Sequence, residues 1–401
     1  MKTQNIFYRL FILSIIWGIL FSCKQKPTDE SVVRDLKYKQ SILDVYKKVG
    51  LFCTLNYIPG MSVAVSIDNK LVFADGFGYS NLELKTKSSP SHLYRIGQIS
   101  ELITTLTAAK LYEEGKLKLD KPVSELFPDL TTKSANYSLY QLGVHSAGIR
   151  DQHVEAGKGK ENTYETLIPT FINDNLLYDP GTSIQHTELG IDLLGYLIQK
   201  STNEPFYKVV KKTLVSNLQL TGTMADNPFI IFDKKSSQYN YDFIAQPIVA
   251  GQIDLRGKEA SAGYLSSVLD MVKIGNALLY PGFLKKETLD LITKPYTLVS
   301  GQTSPFAFGI LVNKDMEGRT FWGQKGLVNG GTSTILIYPE DKLVVAIASN
   351  IGGSSWELPV FEVASIFQDQ LHPERKAKAK EEQEKQEEAQ KKQNQQTKQN
   401  K

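Results

Sequence analysis

Cysteine and excess charge are both scarce in this sequence. It carries two cysteines among 401 residues, and its formal net charge is +3. The small basic excess comes from the two ends, so the part between them is slightly acidic and offers no basic face to nucleic acid. The sequence also lacks an apolar run of the ~20 residues that a membrane-spanning helix needs. These absences exclude a nucleic-acid-binding function and disfavour an integral membrane protein.

The N-terminus has the layout of a secretory signal. Two basic residues precede the apolar run LFILSIIWGILF, and a polar segment begins directly after Cys23. The letters LFSC at 20–23 resemble a bacterial lipobox. The resemblance implies that residues 1–22 are a removed signal peptide, that Cys23 is lipidated, and that the exported protein is anchored in the bacterial cell envelope; a retained membrane anchor is the alternative. Cys53 then has no partner, so we expect no intramolecular disulfide.

Composition divides the rest of the chain into three parts. Residues 23–45 form a tether and the start of the first helix, which apolar spacing predicts over 31–50. Residues 46–372 hold enough apolar material for one large domain. The tail at 373–401 is rich in Lys, Glu and Gln and cannot bury a core, so we expect disorder or a solitary solvated helix.

The two ends of the domain predict one antiparallel sheet. Asp68-Asn69 separates two β-rich runs and has the turn chemistry of a hairpin. Near the other end, FAFGILVNK and TSTILIYPEDKLVVAIASN predict three more strands, and SSWELPVFEVASIFQDQL predicts a closing helix. Residues 98–295 alternate helical stretches with Gly- and Pro-marked loops, as an inserted, mostly helical subdomain would. The predicted class is α/β (α+β), an antiparallel sheet flanked by helices.

Ordered segments over about residues 45–370 resemble the serine β-lactamases and penicillin-binding proteins, in particular the class C β-lactamase-related hydrolases. These segments are YRIGQISELITTLTAAKLYEEGKLKLDKPVSELFPDL, LGVHSAGI, PGTSIQHTELGIDLLGYLIQKSTNEPF and WGQKGLVNGGTSTILIYPEDKLVVAIASN. The resemblance implies a β-lactamase/transpeptidase-like fold. Function does not follow automatically, since fold and site are separable.

The family attacks an acyl carbon with the serine of a Ser-x-x-Lys motif, assisted by Tyr-x-Asn and Lys/His-x-Gly elements. Here Gln98 stands at the serine position and Glu101 at the lysine position. The other two elements read His186-Thr187-Glu188 and Gln324-Lys325-Gly326. A side-chain amide is no nucleophile. Ser100 is about 200° around the helix from Gln98, and Thr105 lies about 10 Å further along its axis, so neither replaces the lost serine.

The substituted positions predict an acidic pocket. If the family geometry holds, Glu101 and Glu188 face each other beside His186. Two carboxylates ~4 Å apart repel by about 4 kcal/mol at an effective dielectric constant near 20, so a proton, Lys325, a metal ion or a cationic ligand must relieve them. With Gln98 nearby, the Glu-His-Glu set could ligate zinc, manganese or iron. The family's backbone oxyanion hole could also persist.

Three functional hypotheses remain open from the sequence. The leading one is a lipid-anchored, non-acylating pseudoenzyme that binds a small-molecule or cell-wall-derived ligand or serves as a scaffold. The second is a hydrolase with altered chemistry built on Glu101, His186 and Glu188, with or without a metal. The third is a serine hydrolase of the family type acting on an amide or ester. No cofactor is expected, and a divalent metal held by Glu101, His186 and Glu188 is kept only as an alternative. The pocket candidates are Gln98, Glu101, His186, Glu188, Gln324 and Lys325.

Overall fold

The computed structural model describes residues 29–130, 136–151, 162–353 and 357–375. The predicted signal peptide, Cys23 and the tail after Arg375 lie outside the described residues. One compact unit begins at Val32. Within the described ranges, no helix is long and apolar enough to cross a membrane.

A central antiparallel sheet organises the fold, with strands in the order β1-β3-β2-β14-β13-β12-β11-β10 and β4 attached to β3. Two small three-stranded sheets, β5-β9-β6 and β15-β7-β8, flank it. The strands are β1 Val33–Arg34, β2 Gly60–Ile67, β3 Lys70–Asn81, β4 Thr86–Lys87, β5 Tyr94–Arg95, β6 Met224–Ala225, β7 Tyr239–Tyr241, β8 Pro247–Val249, β9 Tyr264–Ser266, β10 Phe306–Ala307, β11 Ile310–Lys314, β12 Thr320–Val328, β13 Gly331–Tyr338, β14 Leu343–Ser349 and β15 Ile351–Gly352.

Helices cover both faces of the sheet and supply most of the regular secondary structure of the inserted segment. They are α1 Lys39–Leu55, α2 Ser100–Glu113, α3 Val123–Leu126, α4 Leu139–Gly143, α5 Tyr164–Leu167, α6 Glu188–Thr202, α7 Phe206–Val210, α8 Val268–Leu279, α9 Lys286–Thr293 and α10 Val360–Leu371. A single wide turn, Lys211–Val215, extends α7. The segment predicted as a helical subdomain therefore also contains β6 to β9.

The alternation of side chains along the central strands separates two cores. Val345 on β14 joins the core that α1 and α10 cover, whereas its neighbours Val344 and Ala346 join the core shared with the inserted helices. On that second side, α8 approaches β14 so closely that a Cβ on Gly275 would lie 2.5 Å from Cγ1 of Val344. The sheet is buried on both faces, so its central strands are buried along their whole length and are mostly apolar.

The predicted hairpin and the single antiparallel sheet are both confirmed. Asp68 and Asn69 form the hairpin turn between β2 and β3, with φ angles of 49° and 60°. The first helix was predicted over 31–50, and this prediction is wrong at the N-terminal end, because the helix begins at Lys39. Val33–Arg34 pairs with β3 as an edge strand, and the Asp35 side chain caps a short 3₁₀ turn before α1 begins.

A buried ion pair fixes the strand that leads into the site. Arg95 on β5 is 4% exposed, and its Nε lies 2.7 Å from Oδ2 of Asp226. Its NH1 donates to the carbonyl oxygen of Asn329 at 2.9 Å, and Nζ of Lys235 reaches the second Asp226 oxygen at 2.5 Å. Every charge in this group has a partner, which a buried ion pair needs if it is to be tolerated.

Replacing Asp226 by Ala should lower the free energy of unfolding by about 3–5 kcal/mol, because it leaves the buried Arg95 guanidinium without its counter-charge. Urea unfolding measures the change. Asp290→Ala is the matched control, since Asp290 pairs with Lys286 on the surface, with side chains 63% and 69% exposed. Exposed pairs contribute about 0–1 kcal/mol. Equal losses in the two variants would contradict the structural role of Asp226.

Candidate functional site

Gln98 lies in a tight 3₁₀ turn, Gly97–Ile99, that leads into α2. The turn packs directly on the end of β12. A Cβ on Gly326 would lie 1.8 Å from the carbonyl oxygen of Ile96, and a Cβ on Gly97, whose φ is +51°, would lie 2.7 Å from the backbone nitrogen of Leu327. Only glycine permits this approach, which holds Gln98 beside the backbone of β12.

The Gln98 side chain bridges two elements of the site. Its Nε2 donates to Oε1 of Glu188 at 2.5 Å, and its Oε1 accepts the backbone N–H of Leu327 at 2.8 Å. An N–H that points at the nucleophile position is the type of donor that stabilises an oxyanion. Here the carbonyl of Gln98 itself occupies that donor, so the free backbone anion site expected from the sequence is absent at Leu327.

The neighbouring hydroxyls are turned away, as predicted. Ser100 Oγ is fully buried and accepts the backbone N–H of Tyr264 at 3.2 Å. Thr105 Oγ1 donates to the carbonyl oxygen of Glu101 within its own helix at 2.9 Å. Neither hydroxyl faces the position that the nucleophile would occupy.

Glu101 is the centre of the polar site and is fully buried. Its Oε1 lies 2.9 Å from Nε2 of His186, and its Oε2 accepts the Nε2 amide of Gln324 at 2.9 Å. Nε2 of His145 lies 3.4 Å from the same Oε2. Period-two alternation on β12 directs Gln324 inward. The carboxylate that α2 supplies is thus contacted from the approach to α6 and from β12.

The protonation states of Glu101 and His186 are coupled. Burial raises the pKa of Glu101, but the imidazoles of His145 and His186 outweigh it, so the pKa of Glu101 is lowered. Burial lowers the pKa of His186, and the Glu101 carboxylate more than reverses this, with smaller contributions from Glu188 and Asp151, so the pKa of His186 is raised. Both shifts favour a carboxylate paired with an imidazolium.

Glu188, the first residue of α6, does not form the bare carboxylate pair that the sequence predicted. Its Oε1 accepts from Gln98, and its Oε2 lies 3.3 Å from Nζ of Lys258. Lys325, the expected neutralising cation, points the other way, with Nζ 3.9 Å from Oε1 of Glu357 and the side chain 42% exposed. The period of the strand explains this, because adjacent residues of β12 face opposite sides. Lys258, rather than Lys325, is therefore the cation that neutralises Glu188.

His145 is a site residue that was not among those predicted from the sequence. His145 follows α4 in the left-handed region, with φ 58°, and its ring centroid lies 4.4 Å from that of His186. Its Nδ1 accepts the N–H of Thr187 at 3.5 Å. The segment LGVHSAGI marked His145 as a retained family residue, but nothing in that segment indicates proximity to α2. Among the described residues, Glu101, His145 and His186 place one donor atom each within 4.8 Å of one another, and Glu188 is outside this group.

A match to a family model shows which protein family the chain belongs to. Residues 50–360 match the model described as Beta-lactamase. The chain belongs to the beta-lactamase family. This result confirms the resemblance drawn from the sequence and the β-lactamase/transpeptidase-like fold, and it supports a serine-hydrolase-like ancestry for the site.

Relatives extend from bacteria and archaea to mitochondria. The chain is 25% identical over 380 residues to the mitochondrial serine beta-lactamase-like protein LACTB of Homo sapiens, covering 71% of this chain and 69% of that one. It also resembles an octameric penicillin-binding protein homologue from Pyrococcus abyssi, with TM-score 0.68, 24% identity and coverage of 84% and 76%. A beta-lactamase/D-alanine carboxypeptidase from Pseudomonas syringae gives TM-score 0.67, 20% identity and coverage of 83% and 98%. The two structures establish the fold alone.

The Glu101–His186 pair should make stability depend on pH in a defined window. The lowered pKa of Glu101 stabilises the fold above its unfolded pKa and ceases to do so as pH falls through the folded value. The raised pKa of His186 stabilises the fold below about pH 6.5, and this contribution is lost as pH rises through the folded value. Urea unfolding at pH 6.0 and 8.5 should therefore show that His186→Gln costs more at pH 6.0. An equal cost at both pH values would contradict the pair.

Proposed function

We propose that this protein is a non-acylating, ligand-binding member of the beta-lactamase family, anchored by lipid in the bacterial cell envelope. Its cleft holds a small-molecule or cell-wall-derived ligand without forming a covalent intermediate. One observation supports this proposal above all others: the amide of Gln98 stands at the nucleophile position and is held on both sides, by Glu188 and by the N–H of Leu327.

The substitution at Gln98 also affects electrophile binding. Acyl transfer needs a nucleophile together with a donor that stabilises the charge developing on the carbonyl oxygen. Gln98 supplies no nucleophile and occupies the Leu327 donor with its own oxygen. A carbonyl substrate would have to displace this hydrogen bond and would still meet nothing that could form an acyl-enzyme.

The polar partners around Gln98 point to binding rather than to proton transfer toward a serine. The position of the family's lysine holds Glu101, which is buried and engaged by His186 and Gln324. The described carboxylates nearest to His186, those of Glu101, Glu188 and Asp151, all act to raise its pKa. In the metal-free protein, Glu101 is paired with His186 and Glu188 with Lys258, so neither cation is left unpaired to attract the carboxylate of a β-lactam.

A hydrolase with altered chemistry is the second candidate, and one feature favours it. Nε2 of His186 is held by the buried Glu101 carboxylate, while the His186 side chain is 38% exposed. A carboxylate-held imidazole is the arrangement by which a general base can be oriented. In this reading His186 would activate a water molecule, and no acyl-enzyme would form on the protein.

Incubation of the purified chain with a fluorescent penicillin should give no covalent adduct by gel fluorescence or intact-mass analysis. Ser100→Ala is the matched control, because Ser100 is the hydroxyl nearest in sequence to Gln98, and it should behave like the wild type. A mass increase equal to that of the penicillin would overturn the proposal, and its loss in Ser100→Ala would identify the nucleophile. Turnover without an adduct, abolished in Glu101→Gln, would support the altered hydrolase instead.

Lipid anchoring rests on the lipobox-like letters LFSC that end at Cys23. In a bacterial host, the wild-type protein should sediment with membranes and partition into detergent. Cys23→Ala should release most of it to the soluble fraction or leave an uncleaved precursor, and Cys53→Ala, which alters the other cysteine, should not. Equal partitioning of wild type and Cys23→Ala would contradict anchoring through this residue.

A further inference from the structure

We propose that Glu101, His145 and His186 bind one divalent transition-metal ion of the zinc class, with an open coordination position toward the cleft. The set differs from the one predicted from sequence, because His145 takes the place of Glu188. Two imidazoles and one carboxylate are a donor set that zinc and its neighbours in the first transition row accept in proteins.

The spacing of the donor atoms suits a small ion. With metal–ligand bonds of about 2.0–2.1 Å, donors around a tetrahedral ion lie about 3.3 Å apart. Here Glu101 Oε1 is 2.9 Å from Nε2 of His186, and Glu101 Oε2 is 3.4 Å from Nε2 of His145. All three donor atoms lie within 4.8 Å of one another. Side-chain rotations that shorten the longest of these separations, by up to about 1.5 Å, would bring them onto one ion.

The buried ring of His145 gives an independent indication. The residue is 1% exposed, and its Nε2 has no hydrogen-bond partner among the described residues, although it is directed toward Glu101. Buried polar atoms are normally paired. Coordination through Nε2 would satisfy this atom. It would also place the ring proton on Nδ1, so the 3.5 Å contact with the N–H of Thr187 has to lengthen when metal binds.

The residues around the three donors hold the Glu101 carboxylate in place and leave His186 partly exposed to solvent. Gln324 holds one oxygen of Glu101 at 2.9 Å, which is how a neighbouring residue orients a metal-ligating carboxylate. The His186 side chain is 38% exposed, so solvent reaches this ligand of the proposed ion. A divalent ion beside one carboxylate leaves a net positive charge, so the loaded site would accept an anionic oxygen.

The full chain, freed of metal by dialysis against chelator, should bind close to one equivalent of Zn²⁺ by isothermal titration calorimetry and elemental analysis. A hundredfold excess over Kd should raise Tm by about 3–5 °C. Co²⁺ substitution should give the visible absorption of a four- or five-coordinate site. His186→Gln and Glu101→Gln should each weaken binding by about 100-fold or more, since even partners that only orient a ligand contribute about 10–100-fold.

Two further variants test the choice of ligands. Glu188→Gln should weaken binding much less than His186→Gln, because Glu188 is outside the cluster and acts on His186 only through its charge. His372→Gln should retain binding, since His372 forms a separate surface group with Asp341 and Glu374. His186 is partly exposed, so its variant keeps the test valid if Glu101→Gln fails to fold, which circular dichroism would reveal.

Less than about a tenth of an equivalent of Zn²⁺, with no shift in Tm, would overturn the metal site. So would binding that persists in His186→Gln but disappears in His372→Gln. Neither result bears on acylation, which the penicillin experiment tests separately with the metal-free chain.

Discussion

A buried carboxylate is the constraint on which the rest of this site depends. Removing an ionised carboxylate from water costs several kcal/mol unless hydrogen bonds and an opposite charge replace the solvent. Glu101 meets this requirement with His186 and Gln324, and the ring of His145 lies close by. A glutamate at the position of the family's lysine therefore needs donors from the neighbouring positions. His186 and Gln324, which stand at two other substituted positions, supply them.

Glu188, the second carboxylate of the site, also has its charge neutralised by neighbouring groups. Glu188 lies close enough to His186 to raise its pKa, yet it is neutralised from a different direction, by Lys258 and by the amide of Gln98. Gln98 thus has a structural role, since its side chain ties Glu188 and the end of β12 to the turn that leads into α2. The residues at the family's motif positions therefore form one connected polar network, and their substitutions are not independent of one another.

The fold could be predicted from the sequence because its signals are local. The turn chemistry of Asp68-Asn69 and the apolar runs near the C-terminus specify strands and register without reference to distant residues. The edge strand Val33–Arg34 was missed, since two residues that gain their structure by pairing with β3 carry no periodic signal.

The site could be predicted only in part, for a related reason. Motif positions placed Gln98, Glu101 and His186 together, but the partners of each charge are long-range contacts. Lys258 lies in a loop 70 residues beyond Glu188, and His145 contacts Glu101 from a left-handed position just beyond the end of α4. Lys325 was assigned to the pocket from its place in the motif, although the alternation of β12 turns it outward.

Imidazole ¹⁵N NMR directly tests the pairing of a buried Glu101 carboxylate with a protonated His186. In the metal-free chain, His186 should remain an imidazolium with both nitrogens protonated above its ordinary pKa of about 6.5, and the transition should move down in Glu101→Gln. A His186 that titrates at or below about 6.5 in the wild type, unchanged by Glu101→Gln, would show that the pair does not form.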